Sequence, residues 1–154
     1  MRINASWSKE IPLNNGAKQN MIYALNLSEL PEKAGCYVIF NCYGDKCSVL
    51  YIGQAKNIRA RFEQQLNNVK LMMGINNHKN GQKKVIFCTL SPAQGQSQRK
   101  ALDTLEASLI KHSMSEGHEL LNLQGTKISY DSLIFKGNRT SEKMFSRAIN
   151  IEKR

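Results

Sequence analysis

Two tyrosines, an arginine and a glutamate are the residues of this chain best suited by type and position to carry chemistry. Tyr37 and Tyr51 fall in runs of β-branched and aromatic residues at 35–40 and 49–52, which predict the two strands of an antiparallel hairpin. Both side chains would project near one end of one sheet face. Gly35 and Gly53 flank them and permit close backbone approach at that end. Arg61 opens a helix directly after the second strand, so its planar guanidinium, suited to two phosphate oxygens, reaches back toward the tyrosines. Glu106 interrupts an apolar helical stripe between Leu102 and Leu109, and a carboxylate there needs a partner or a metal. Each residue alone also has a purely structural reading, because strand tyrosines commonly pack and helix carboxylates are commonly solvated.

The elements that must hold these groups follow from periodicity. Residues 21–30 predict a short helix ending before Pro31. Asn57 is a helix N-cap, and Ile58, Phe62, Leu66 and Val69 recur at helical spacing, with Arg61 and Gln65 one turn apart beside that stripe. Residues 74–82 read as a polar loop containing His78, and 84–90 as a buried strand. A second helix spans about 98–112, with Leu102, Leu105 and Leu109 as its apolar stripe. Residues 132–135 predict a strand, Gly137-Asn138 a turn, and 142–149 a short basic helix. The order β-β-α-β-α gives an α/β sandwich with a mainly antiparallel three-stranded sheet flanked by helices. Its expected limits are 31–125, with an N-terminal extension at 1–30 and a basic C-terminal extension at 126–154.

At 154 residues and 41% hydrophobic content, the chain holds one core and is too apolar for a disordered polymer. No apolar run is long enough to span a bilayer and the first residues cannot serve as a signal-peptide core, so a cytoplasmic address is expected, without a membrane. The formal net charge of +10 points to a polyanion. Seven basic residues and one acid occupy 56–84, whereas 85–131 is slightly acidic. A basic rim around acids suits a phosphate-cleaving site. Lys79, Lys83, Lys84 and the 136–154 segment could track a phosphate backbone, with Lys56, Arg59 and His78 as further contacts. Cys36, Cys42, Cys47 and Cys88 lack zinc-ligand spacing; reduced thiols are expected, although Cys42 and Cys47 could bridge a tight connection.

Gly35-Cys36-Tyr37 and Tyr51-Ile52-Gly53, followed without a gap by Gln54-Ala55-Lys56-Asn57-Ile58-Arg59-Ala60-Arg61-Phe62, resemble the GIY-YIG nuclease family. Leu105-Glu106-Ala107-Ser108-Leu109-Ile110 is similar to that family's helix with the metal-binding glutamate, and Leu120-Leu121-Asn122 to its closing asparagine segment. The resemblance covers about 31–125. It implies a divalent-metal-dependent endonuclease in which Tyr37 and Tyr51 position or deprotonate the attacking water. Arg61 would hold the scissile phosphate, Glu106 would bind magnesium (with manganese as a substitute), and Asn122 would support the site by hydrogen bonding.

Three positions depart from the family pattern. Cys36 replaces the usual isoleucine or valine. Gln54 stands where the excision-repair nucleases carry a lysine, and Gln65 where the homing branch has a histidine. Lys56 for charge and His78 for proton transfer are the available substitutes. DNA is the expected partner, with RNA as the alternative, and a homodimer would allow cleavage of both strands. Two other functions stay open: a catalytically silent nucleic-acid-binding module, and a toxin or defence nuclease held by an acidic inhibitor protein.

Overall fold

In a computed structural model, which describes residues 2–78, 80–91, 93–122 and 132–150, the chain forms a mixed α/β fold. Its elements are β1 (Arg2–Trp7), β2 (Ile11–Pro12), β3 (Asn14–Asn15), β4 (Tyr23–Ala24), β5 (Gly35–Tyr43), β6 (Lys46–Ala55), α1 (Ile58–Leu66) and α2 (Val69–His78), followed by β7 (Gln82–Ser91), α3 (Gln98–Ser115), β8 (Ser132–Lys136), α4 (Arg139–Glu142) and β9 (Ala148–Asn150). The expected three-stranded sheet is corrected to a 7-stranded one, ordered β6-β5-β7-β1-β8-β9 with β2 also paired to β7. Strands β6, β5 and β7 are the three anticipated. The extra strands come from the two terminal segments: β1 pairs antiparallel with β7 and parallel with β8.

Side chains alternate across the strands and build a core on each face. On one face Cys36, Val38, Phe40 and Ile86 pack under Leu105 and Leu109 of α3, and Met144 and Phe145 extend the cluster beneath Trp7. On the other, Tyr37, Ile39, Val85 and Phe87 pack against Ile58, Phe62 and Leu66 of α1, Met72 and Ile75 of α2, and Leu13, Tyr23 and Leu30 of the N-terminal segment. The first thirty residues therefore contribute both a strand and core side chains. Cys36 and Cys88 are buried free thiols on the α3 face.

Three local expectations are corrected. Residues 21–30 are not helical: they carry β4 and one 3-10 turn, Leu27–Glu29, capped by the Asn26 side chain. The loop expected at 74–82 is largely the helix α2. The Asn68 side chain accepts from Leu71 N at 3.2 Å, and Met72 and Ile75 anchor its buried face, so capping and burial outweigh the poor helix propensity of Gly74 and two asparagines. The helix expected at 142–149 is reduced to α4, closed by a capping box between Asn138 and Ser141, after which β9 pairs with β8.

The hairpin connector is tight. Only Gly44 and Asp45 separate β5 from β6, with Gly44 at φ 62°, the left-handed conformation that a first turn position of this kind reserves for glycine. This register sets Cys42 opposite Cys47 with Cα atoms 4.2 Å apart, and the two form a disulfide, correcting the expectation of reduced thiols. A bulge between Ile39 and Phe40 in the pairing leaves Leu50 as the extra residue of β6. Leu50 and Tyr51 thereby both join the core on the α1 side. No described helix is long and apolar enough to cross a membrane.

Candidate active site

The site begins with the two glycines. In the β5–β6 register Gly53 faces Tyr37, and a Cβ on Gly53 would overlap the Tyr37 ring at Cζ and its hydroxyl oxygen. The ring lies over the glycine, which is why a residue without a side chain is needed there. Gly35 serves the other neighbour, since a Cβ there would run into the carbonyl of Cys88 on β7. Tyr37 is 1% exposed and packs edge-on against Phe62 at 5.4 Å and stacked against Tyr51 at 6.1 Å.

The Tyr37 hydroxyl accepts a hydrogen bond of 2.7 Å from Gln65 Nε2, and Gln65 Oε1 accepts from Asn68 Nδ2 at 3.3 Å. Burial pushes the phenol well above its ordinary value of 10.0; the Gln65 hydrogen bond and the Arg61 charge offset this only in part. Tyr37 is thus held as a neutral phenol in the protein alone. With the folded value raised, the stability contributed by the neutral phenol is fully present below about pH 10 and is lost as pH rises through the folded value. The urea midpoint should hold up to about pH 10 and fall as pH rises beyond it, and Tyr37→Phe should make that fall shallower; an unchanged slope would contradict the buried phenol.

Beside these rings, a cleft of about 560 Å³ opens at the β6 edge, with Tyr51, Glu106 and Asn122 in its lining. Glu106 comes from α3 and Tyr51 from β6, so the walls belong to elements on opposite faces of the sheet and meet around its edge strand. Asn68, Lys70 and Gly74 bring the first half of α2 into the same lining.

Asn122 closes the free edge. Its Oδ1 accepts from Ile52 N at 2.8 Å and its Nδ2 donates to Ile52 O, so one amide takes the place of a neighbouring strand at the residue between Tyr51 and Gly53. Leu121 N donates to Leu50 O at 2.7 Å and Val49 N donates to His118 Nδ1 at 3.2 Å, continuing the latch along β6. Asn122→Ala leaves two edge groups of Ile52 unpaired and should cost about 1–3 kcal/mol in urea unfolding. It should also speed amide exchange at Ile52; unchanged exchange there would count against the latch.

Glu106 has a neighbour that sequence reading left among the general acids. Asp103 lies one helical turn earlier, and Gln54 Nε2 donates to Asp103 Oδ1 at 2.9 Å and to Glu106 Oε1 at 3.4 Å. Burial raises the Glu106 pKa from its usual 4.5, and the Asp103 charge raises it further against the lowering effect of Gln54. Among the described residues no group of three or more His, Cys, Asp or Glu side chains could hold a metal. The donor set is Glu106 with Asp103 nearby, which fits magnesium: that ion takes one or two carboxylates and keeps much of its hydration. A cation at this place would also relieve the cost of burying a carboxylate beside another.

Arg61 is exposed on α1, donates Nη1 to Gln64 Oε1 at 3.1 Å, and stands close enough to Tyr37 for its charge to favour the phenolate. The outer basic residues diverge from expectation. Lys83 is buried, donating Nζ to Asn41 Oδ1 at 2.9 Å; Lys84 pairs with Glu10 at 2.9 Å. Arg59 donates Nε to Leu30 O at 2.9 Å and pairs with Glu32 at 3.4 Å, fixing the segment before β5. These three serve the fold, and Lys83 in particular is too enclosed to track a phosphate backbone. Lys56 is exposed at the turn between β6 and α1, His78 is half-buried at the end of α2, and Lys79 lies outside the described residues.

Sequence reading missed Asp103, Asn68 and Lys70. Asp103 was legible as an acid three residues from Glu106; the other two were hidden because the apolar spacing ran one helix on through Val69, where the structure ends α1 at Leu66 and starts α2 at Val69. No protein-family model, curated protein or solved structure matches this chain.

Proposed function

We propose that this chain is a divalent-metal-dependent endonuclease of the GIY-YIG type that hydrolyses phosphodiester bonds in DNA. The observation that carries the proposal is the shared cleft: Tyr51, Glu106 and Asn122, 71 positions apart at the extremes of the motif set, line one opening with Lys70. The motif order and the Tyr37–Gly53 packing support it further.

In this reading the side chains divide the work. Arg61 and Lys70 draw the phosphate by charge, and the Arg61 fork orients two of its oxygens. Tyr51, on the cleft wall, orients the attacking water. The water oxygen forms the new bond to phosphorus and gives up its proton to solvent in the open cleft as the bond to the leaving oxygen breaks, and the leaving oxygen takes a proton from solvent. Tyr37 is a positioning group, because its ring stacks on the Tyr51 ring while its buried, hydrogen-bonded hydroxyl keeps its own proton. Glu106 would hold magnesium, with Asp103 beside it; when bound, the ion would neutralise charge building on the phosphate and leaving oxygen.

Incubation of the protein with supercoiled plasmid, single-stranded DNA and RNA, in magnesium and in chelator, tests the proposal. Metal-dependent cleavage of DNA is expected, and absence of cleavage on all three would overturn it. Tyr51→Phe should lower turnover by about a hundredfold, the scale of loss when the attacking water is no longer aligned, while substrate affinity changes little. Equal losses in turnover and affinity would remove Tyr51 from the chemistry.

A further inference from the structure

The sheet carries a second, separate opening on the side turned away from α3. Ile3, Ala5, Trp7 and Phe135 point into the α3-side core, so the alternate residues Asn4 and Ser6 of β1 and Ile134 and Lys136 of β8 face the other way. The register sets these in two rows across three strands, Ser91–Asn4–Ile134 and Thr89–Ser6–Lys136. Asn4, Ser91 and Lys136 are exposed. Together with Arg147 they line a groove of about 460 Å³.

The groove's chemistry is that of a phosphate contact surface. Its side chains are hydroxyl, amide, apolar or cationic, and its lining includes no carboxylate. Arg147 donates Nε to Glu142 at 2.5 Å, which leaves the fork of its terminal nitrogens for an anion. Serine, threonine and asparagine side chains with lysine and arginine are the usual donors to phosphate and sugar oxygens, and they carry no base specificity. The chain's net charge of +10 supplies the complementary field.

Position relates this groove to the cleft. The residues Ala55, Gly35, Thr89, Ser6 and Lys136 are successive partners across β6, β5, β7, β1 and β8. Four strand spacings of about 4.8 Å separate the ends, and Tyr51 of the cleft lies four residues of about 3.3 Å back along β6 from Ala55, so cleft and groove are roughly 23 Å apart. One strand of a duplex advances about 3.4 Å per nucleotide, so that span is roughly seven phosphates. The tyrosines lie on the same side of the sheet as the groove, with Tyr37 and Tyr51 in the cluster opposite α3.

We infer that the groove over β1 and β8 is a second subsite for the phosphate backbone of the nucleic-acid substrate, contacting the strand roughly seven nucleotides from the bond held at the cleft. This rests on the nuclease reading above, and extends it by assigning substrate grip to a part of the sheet remote from the motif residues.

The test compares the parent with Asn4→Asp/Lys136→Glu, both exposed strand positions away from the cleft, after thermal unfolding shows that both fold. Binding is measured in a Glu106→Ala background as a function of salt, on duplexes with three or with ten base pairs on each side of a central step. The parent should bind the longer duplex at least tenfold more tightly than the shorter, and the variant should lose that gain. The magnitude of the variant's slope of log affinity against log salt should fall by about one to two. Both should bind the shorter duplex alike. An unchanged gain and slope in the variant, beside metal-dependent cleavage by the active parent, would overturn the subsite and leave the nuclease reading standing. Failure of the active parent to bind or cleave any nucleic acid would overturn both. Binding to phosphatidylserine vesicles that the variant loses, with duplex binding unaffected, would reassign the groove to a membrane surface and overturn the inference.

Discussion

Glu106→Ala is expected to lower metal-dependent cleavage by about a thousandfold or more while the protein stays folded. The size reflects the metal's contribution, since an ion that stabilises transition-state charge by several kcal/mol converts to that factor at about 1.4 kcal/mol per tenfold. The preserved fold follows from Glu106's surroundings. Its carboxylate is half-buried beside Asp103 and, among the described residues, accepts from Gln54, so removing the charge relieves repulsion and leaves the α3 anchors Leu105 and Leu109 in place. Glu106→Gln keeps the volume and loses the anion, and should be as inactive as alanine. Glu106→Asp, with the carboxylate drawn back by one methylene, should fall between. Asp103→Asn should retain more activity than any Glu106 variant, because Asp103 acts mainly through the shared Gln54 amide. Cleavage by Glu106→Gln at the wild-type rate would remove the glutamate from the metal site.

Gly53→Ala should cause the largest loss of stability for a single added methyl group. The Cβ would occupy the space of the Tyr37 ring, and the ring has no room to yield. Phe62 meets its edge, Tyr51 its face, and Gln65 holds its hydroxyl. Overpacking costs about 1–3 kcal/mol, and loss of the buried hydrogen bond adds about 1–3 kcal/mol. The sum is a large part of a typical stability of about 5–15 kcal/mol. At about 2–4 °C per kcal/mol for a domain of this size, Tm should fall by roughly 10 °C. The control is the same alanine in a Tyr37→Leu protein, which lacks the distal ring atoms that the methyl group meets. There the further cost of Gly53→Ala should drop below about 1 kcal/mol, and an equal cost in both backgrounds would contradict the ring-over-glycine arrangement.

Local signals in the sequence predicted part of this structure and long-range pairing decided the rest. The alternation of Tyr37 and Tyr51 in two short apolar runs gave their common face, and the Asn57 cap with Ile58, Phe62 and Leu66 gave α1. Helix α3 was evident from its leucines, and with it the placing of Glu106. The parallel pairing of β1 with β8 joins residues about 130 positions apart, and no periodicity within either segment specifies such a partner. Helix α2 was obscured because its stability comes from the Asn68 cap and from burial of Met72 and Ile75, against weak intrinsic propensity. Lys83 read as a surface cation because its type favours exposure; Asn41 opposite it in the register receives its ammonium in the interior. The Asn122 latch was visible as an asparagine only, since its partners are the backbone groups of Ile52, 70 residues earlier.

The most direct measurement is the rate of plasmid nicking by wild-type and Glu106→Ala protein prepared side by side, each with magnesium and with chelator. Nicking by the wild type is expected in magnesium alone, at least about a thousandfold faster than by the variant. Nicking at equal rates by both proteins, or by the wild type in chelator, would contradict a metal-assisted hydrolytic site built around Glu106.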